Sequence, residues 1–156
     1  MQAKGKIAFV VGHTNWGKST TLRALTHDNF RLRWHSISGF DFFIRRMSND
    51  DYPDSYIDFM RRITPTKYDH LIAAMCPEFN SSENPTETIL LSLQKKGFEL
   101  YFWVLEKEQG HGERTVRSSE ILTLRKHGVV EIHDTKTTPQ KNAKLFSKFI
   151  SDRVLK

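Results

Sequence analysis

The stretch Lys6-Ile-Ala-Phe-Val-Val11-Gly12-His-Thr-Asn-Trp-Gly17-Lys18-Ser19-Thr20-Thr-Leu-Arg-Ala-Leu25 decides the reading of this chain. Residues 6–11 form a short apolar run rich in branched side chains, the pattern of a strand buried on both faces. Residues 19–25 run on as a helix. Between them, Gly12 to Ser19 fits the pattern G-x-x-x-x-G-K-[ST] at every defined position. Glycines let the backbone bend until successive N–H groups converge on phosphate oxygens, and the helix start adds positive potential. In that pattern the lysine reaches the β- and γ-phosphates, and the hydroxyl after it ligates Mg²⁺.

Working outward, Phe30–Ser36 alternates apolar and polar residues, as expected of an edge strand wet on one face. Asp50–Arg62 has acids early and arginines late, matching a helix dipole, with Tyr56, Ile57, Phe59 and Met60 as the buried face. Tyr68–Met75 holds a second apolar run, stopped by Pro77. Asn84-Pro85 caps a helix that ends at Gly97. Phe98–Leu105 is the strongest strand pattern. Residues 106–117 are polar, contain Gly110 and Gly112, and read as a mobile loop. Ser118–Lys126 reads as a helix, Val129–His133 as a strand, and the C-terminal segment as a final helix. Five strands separated by helices predict an α/β fold: a three-layer sandwich on a mostly parallel sheet, residues 1–156 forming one domain.

The phosphate-loop pattern in its strand–loop–helix setting resembles the P-loop NTPase superfamily. That resemblance implies nucleotide contacts from Gly12, His13, Thr14, Asn15, Trp16, Gly17, Lys18, Ser19 and Thr20, with Ser19 holding Mg²⁺. His13 is expected at a solvent-facing loop tip rather than on a γ-phosphate. Trp16 packs beside the nucleotide or covers the sheet end. The superfamily's Mg²⁺-associated acid follows a second apolar strand. Here Cys76 and Pro77 follow it, so Glu78 is the first acid available, with an ordinary surface glutamate as the alternative.

The base is expected to be adenine. No Asp-x-x-Gly follows the second apolar strand, and the exit of Phe98–Leu105 reads Glu106-Lys107-Glu108 instead of Asn-Lys-x-Asp, which makes GTP the weaker reading. Small nucleotide and metabolite kinases carry a carboxylate after the second strand, arginines for the acceptor and an arginine-bearing lid. Asp41 fits the first, as acceptor-orienting group or as a plain helix cap. Arg45, Arg46, Arg61 and Arg62 fit the second. Arg114 and Arg117, on a lid of residues 106–117, fit the third. The function expected is therefore an ATP- and Mg²⁺-dependent phosphotransferase for a nucleotide or metabolite, with a phosphorylated small molecule as a possible acceptor. A slow regulatory NTPase that controls a protein or nucleic-acid partner is the alternative.

Composition sets the outer bounds. The chain has 156 residues, 38% hydrophobic, 12% aromatic and 27% charged, which fits one globular domain and excludes wholesale disorder. Cys76 is the one cysteine, so no intrachain disulfide forms, and a reducing cytoplasmic compartment is expected. No membrane span is legible. The net charge is +6, and five of those charges lie in residues 136–156. There Lys141, Lys144 and Lys148 oppose Leu145, Phe146, Phe149, Ile150 and Val154, so residues 138–156 are expected to form a basic amphipathic helix available to a protein or nucleic-acid partner. The seven histidines show no ligand spacing with cysteine or acids.

Overall fold

In a computed structural model, which describes residues 4–13, 16–79, 85–109 and 113–156, the chain is α/β. Its elements are β1 (Gly5–Val11), α1 (Lys18–Leu25), β2 (Trp34–Ile37), β3 (Phe40–Arg45), α2 (Pro53–Arg62) and β4 (His70–Met75). They continue as α3 (Thr86–Lys95), β5 (Phe98–Leu105), α4 (Ser118–His127), β6 (Val129–His133) and α5 (Pro139–Phe149), followed by a π-helical turn at Ile150–Val154. The six strands form one sheet in the order β2-β3-β4-β1-β5-β6, parallel except for β2.

The apolar run at residues 6–11 takes the centre of the sheet. β1 pairs with β4 from Lys6↔His70 to Val11↔Met75 and with β5 from Gly5↔Phe98 to Val11↔Val104. Its alternate residues feed two cores. Ile7, Phe9 and Val11 face α2, α3 and α4 along with Met60, Leu90, Leu93 and Leu124, and Phe9 stacks on Phe102 with ring centroids 5.3 Å apart. Ala8 and Val10 face α1 and α5 along with Leu22, Trp103, Phe146 and Phe149. A strand covered on both sides has no wet face, which is why its sequence is apolar without alternation.

One strand goes beyond the five expected. Phe40–Arg45, where Asp41 was expected as an acceptor-orienting group or a helix cap with Arg45 and Arg46 one helical turn beyond it, is β3. The edge strand is also shorter than expected, beginning at Trp34 rather than Phe30. The cause is a two-residue turn, Ser38-Gly39, with φ of 52° and 84°. Two positive φ values match the twist of a tight hairpin and fold β3 back against β2, Trp34 opposite Phe43. The helix expected from Asp50 starts at Pro53, its first turn set by the proline. Tyr56 and Met60 are buried in it, as expected, and Ile57 and Phe59 are half-buried. Thr138 caps α5 by accepting from the Lys141 N–H at 3.2 Å. Lys141, Lys144 and Lys148 face solvent while Phe146, Phe149, Ile150 and Val154 are buried, so the basic amphipathic helix is present, ending in the π turn. Among the described residues, no helix is long and apolar enough to cross a membrane.

Candidate functional site

Where successive connections leave a parallel sheet in opposite directions, a crevice opens at the carboxyl ends of the strands. Here β1 sends its connection through α1 over one face. Its neighbours β4 and β5 send theirs through α3 and α4 over the other. The glycine-rich loop lies at this crevice. The Gly12 N–H donates to Met75 O at 3.1 Å, the Trp16 N–H donates to His13 O at 3.1 Å, and α1 begins at Lys18. Gly17 has φ of 106°, a left-handed conformation that a side chain disfavours. Thr14 and Asn15 lie outside the described residues.

Lys18 is 7% exposed, and its ammonium is held by the loop itself. It donates to Gly12 O and, at 3.1 Å, to His13 O, and it lies 3.5 Å from Asp50 Oδ2. Asp50 is the residue that sequence reasoning missed, having been taken as one of several acids on a helix dipole. A turn places it. The Ser48 N–H donates to Asp51 Oδ2 at 3.0 Å, and the Asp51 N–H donates to Ser48 O at 3.2 Å. Asn49, fully buried, clamps the exit of β4: its Nδ2 donates to Cys76 O at 2.9 Å, and the Cys76 N–H donates to its Oδ1 at 2.6 Å. That side-chain imitation of strand pairing sets Asp50 beside the loop, and nothing local in the sequence signals it.

Two clefts meet at Asp50. One, of about 510 Å³, is lined by Gly17–Thr20, Asp50, Asp51 and Asn142, among others. Ser19 and Thr20 are exposed there, and Thr20 Oγ1 donates to Gly17 O at 3.1 Å. The other, of about 570 Å³, is lined by His13, Trp16, Cys76, Glu78, Arg114, Arg117 and Glu120 in addition to Asp50. Gln109, also missed, braces the first cleft. Its backbone N–H donates to Trp16 O at 3.4 Å, its Nε2 to Thr135 O at 3.1 Å, and its Oε1 accepts from the Thr137 N–H at 2.9 Å.

His13 is not at a solvent-facing tip. It is half-buried, with Nε2 2.9 Å from Glu120 Oε1 and Nδ1 3.5 Å from Cys76 Sγ, and its ring meets Trp16 edge-on at 5.0 Å. The carboxylate accepts, so Nε2 carries a proton. Glu120 also accepts from the Arg117 N–H at 2.9 Å, half of a capping box that fixes the start of α4. Burial pushes the Cys76 thiol up to about 12 against the pull of the Lys18 ammonium, so it stays protonated. Trp16 is 2% exposed and covers the loop, with its indole N–H unpartnered among the described residues.

Of the remaining expected residues, Arg114 and Arg117 come to the site. Arg114 grips Glu108, Nη2 to Oε1 at 2.7 Å and Nε to Oε2 at 3.0 Å, and its guanidinium lies 5.8 Å from the Trp16 ring centroid. The loop expected to be mobile is a hairpin in its described residues: Lys107 bridges Thr115, and the Glu108 N–H donates to Arg114 O at 2.8 Å. Residues 110–112 lie outside the described ones.

Asp41 does not come to the site. It is exposed, near the start of β3 opposite Ser36, while the loop adjoins the Met75 end of the sheet. The hairpin turn causes this, because it runs residues 40–45 back along the sheet before the chain reaches the crevice. Arg46 lines the first cleft, its guanidinium also donating to Leu22 O at 3.0 Å and Leu32 O at 2.7 Å. Arg45 donates to Ser55 Oγ at 2.9 Å and lies over Phe59. Arg61 and Arg62 are exposed at the end of α2, Arg62 paired with Asp58. Glu78 lines the second cleft, whereas Ser19 lines the first. Among the described residues, no group of three or more His, Cys, Asp or Glu side chains is gathered to hold a metal ion. The hydroxyl and carboxylates of the first cleft are nevertheless hard oxygen donors, which suits Mg²⁺, an ion that binds through few protein groups and keeps water and phosphate ligands. No protein-family model matches this sequence, and neither a curated protein nor a solved structure matches it.

Proposed function

We propose that this chain is a P-loop ATP-binding protein that transfers a phosphoryl group, with Mg²⁺, to a nucleotide or small metabolite. The observation that carries this reading is Asp50, which lies 3.5 Å from the Lys18 ammonium and borders two clefts, one built from the glycine-rich loop and the other carrying Arg114 and Arg117. A donor and an acceptor need adjoining sites with the transferred group between them.

In this reading ATP lies in the first cleft, its phosphates on the loop N–H groups and the start of α1. Lys18 leaves the Gly12 and His13 carbonyls for the β- and γ-phosphates. Ser19 would hold Mg²⁺, and Asp50 would accept hydrogen bonds from the waters of the ion in the place expected of Glu78, which leaves its carboxylate able to act as a base. When bound, the ion screens charge on the phosphates. The acceptor occupies the second cleft, and Asp50, not Asp41, orients its hydroxyl and takes its proton as the oxygen attacks the γ-phosphorus and ADP leaves. Arg117 and Arg114 stabilise charge on the transferred group or grip an acceptor phosphate.

A second reading is a slow regulatory NTPase. It is favoured by the ammonium of Lys18 already resting on two carbonyls and near a carboxylate, so that nucleotide competes with internal contacts. In that reading Lys141 and Lys144, exposed on α5, meet a protein or nucleic-acid partner.

The test is mass spectrometry of the nucleotide that co-purifies with wild type and with Lys18→Ala, followed by a phosphoryl-transfer panel. Adenine nucleotide on wild type alone, and a phosphorylated product, are expected. Equal retention by Lys18→Ala overturns the loop's role. Tight ATP binding with no product from any acceptor overturns the transferase and leaves the regulatory reading.

A further inference from the structure

Exposed apolar side chains are ordinary when scattered singly. Here they are not scattered. Of the eight large hydrophobic residues exposed among those described, Phe30, Leu32 and Trp34 fall within one short stretch at the β2 edge of the sheet, and Phe40 follows in β3 on the opposite face of the hairpin. Arg31, Arg33 and His35 alternate with them. The acids between residues 27 and 41 are Asp28 and Asp41 alone. Burial holds the His35 imidazole below its ordinary value, with smaller contributions from His27 and Arg46.

The aromatic groups form a platform. Trp34, 52% exposed, meets Phe43 edge-on at 5.3 Å and lies 6.4 Å from Tyr68, with the two rings nearly parallel. Tyr68 lies 4.9 Å from Phe43 and 6.0 Å from Phe59. Lys67 places its ammonium 5.6 Å from the Tyr68 ring centroid. The β2–β3 register puts Asp41 on the Trp34–Phe43 face and His35 and Phe40 on the other, and Arg31 and Arg33 lie exposed in the segment that leads into Trp34. An added peptide strand finds little here, because β2 is only four residues long.

We propose that this edge binds single-stranded nucleic acid, bases stacking on Trp34 and its aromatic neighbours while Arg31, Arg33 and Lys67 hold phosphates. Stacking needs only the π-face that every base has, and a cationic border tracks the backbone, so the site reads single strands without strong sequence preference. The inference does not rest on the phosphotransferase reading. It also differs from a partner on α5, where the exposed lysines have no aromatic residues among them.

Trp34 supplies its own probe, since the other two tryptophans, Trp16 and Trp103, are each 2% exposed. Oligothymidylate, longer than the roughly 4–16 nucleotides such platforms cover, is titrated at low salt while tryptophan emission is followed. Quenching with saturable binding is expected. Trp34→Ala should weaken binding at least about tenfold and Trp34→Phe only slightly, since a ring remains. Arg31→Glu with Arg33→Glu should weaken binding and flatten its dependence on log salt, without touching the platform. Lys18→Ala should bind as wild type does. The proposal is overturned if emission does not change, if polyglutamate or duplex DNA of equal charge binds as tightly, or if Lys141→Glu, Lys144→Glu and Lys148→Glu abolish binding that Trp34→Ala and the arginine variant leave intact.

Discussion

The two clefts that share Asp50 differ in how far their side chains are already committed. In the first, the Ser19 and Thr20 side chains stand open to solvent, close to the backbone of the loop. In the second, His13, Cys76 and Glu120 form a chain of contacts, and Arg114 is doubly bonded to Glu108. A site for phosphate is made mostly of backbone N–H groups and needs little else held ready. In the proposed reading the second cleft takes the acceptor, and a site that distinguishes one acceptor from another must keep its side chains in place beforehand, which each of these contacts helps to do. Asp50 belongs to both, which makes it the residue most sensitive to the comparison.

The largest effect is expected at Asp50. Asp50→Asn should lower phosphoryl transfer by roughly 10²–10⁴ while changing ATP affinity much less, because general-base catalysis is lost and most phosphate contacts remain. Steady-state kinetics beside calorimetric ATP titration separates these, and equal losses in both would move Asp50 wholly into the first cleft. Lys18→Ala should weaken ATP binding by about 10–100-fold, the range for hydrogen bonds to a charged group. Calorimetry reads this directly, and an unchanged affinity would leave the loop without its expected partner. A smaller split is expected between the two arginines. Arg117→Ala should cost transfer about tenfold, and Arg114→Ala less, since Arg114 is already engaged by Glu108. Activity ratios at saturating ATP check the order. The smallest effect is chemical. With its thiol pushed up to about 12, Cys76 should be alkylated by iodoacetamide at pH 8 at least about tenfold more slowly than an ordinary cysteine of pKa near 8.5. The unfolded thiol ionises first, so this contribution to stability is complete below about pH 8.5 and is lost as the pH rises towards 12. Intact-mass time courses at both ends of that window show whether the second cleft shields its thiol.

The strands buried on both faces, β1 and β4, were legible because burial leaves a continuous apolar run, and β5 was legible because a long branched and aromatic run suits a strand. The helix dipole in α2 and the apolar face of α5 were equally plain. β3 was missed although Phe40, Phe42 and Ile44 alternate in the manner of a strand, and although Ser38-Gly39 is a two-residue turn signal. Reading those residues as helical made Asp41 look like the first carboxylate after a strand. Once β3 is recognised, the next carboxylates after it are Asp50 and Asp51. His13 was misjudged for a different reason: its partners, Cys76 and Glu120, are 63 and 107 residues away, and no local pattern encodes them.

The sequence by itself determined that a strand enters a glycine-rich turn and a helix leaves it, that the fold is α/β, and that Lys18 follows Gly17 at the start of a helix. Those features arise from periodicity and backbone freedom, which act over a few residues. Only the tertiary structure decided which acid stands beside that lysine, what holds His13, and that Phe30–Trp34 stays exposed along an edge instead of being covered. Each of those depends on which strand lies next to which, and that order follows from burying the two faces of one sheet at once.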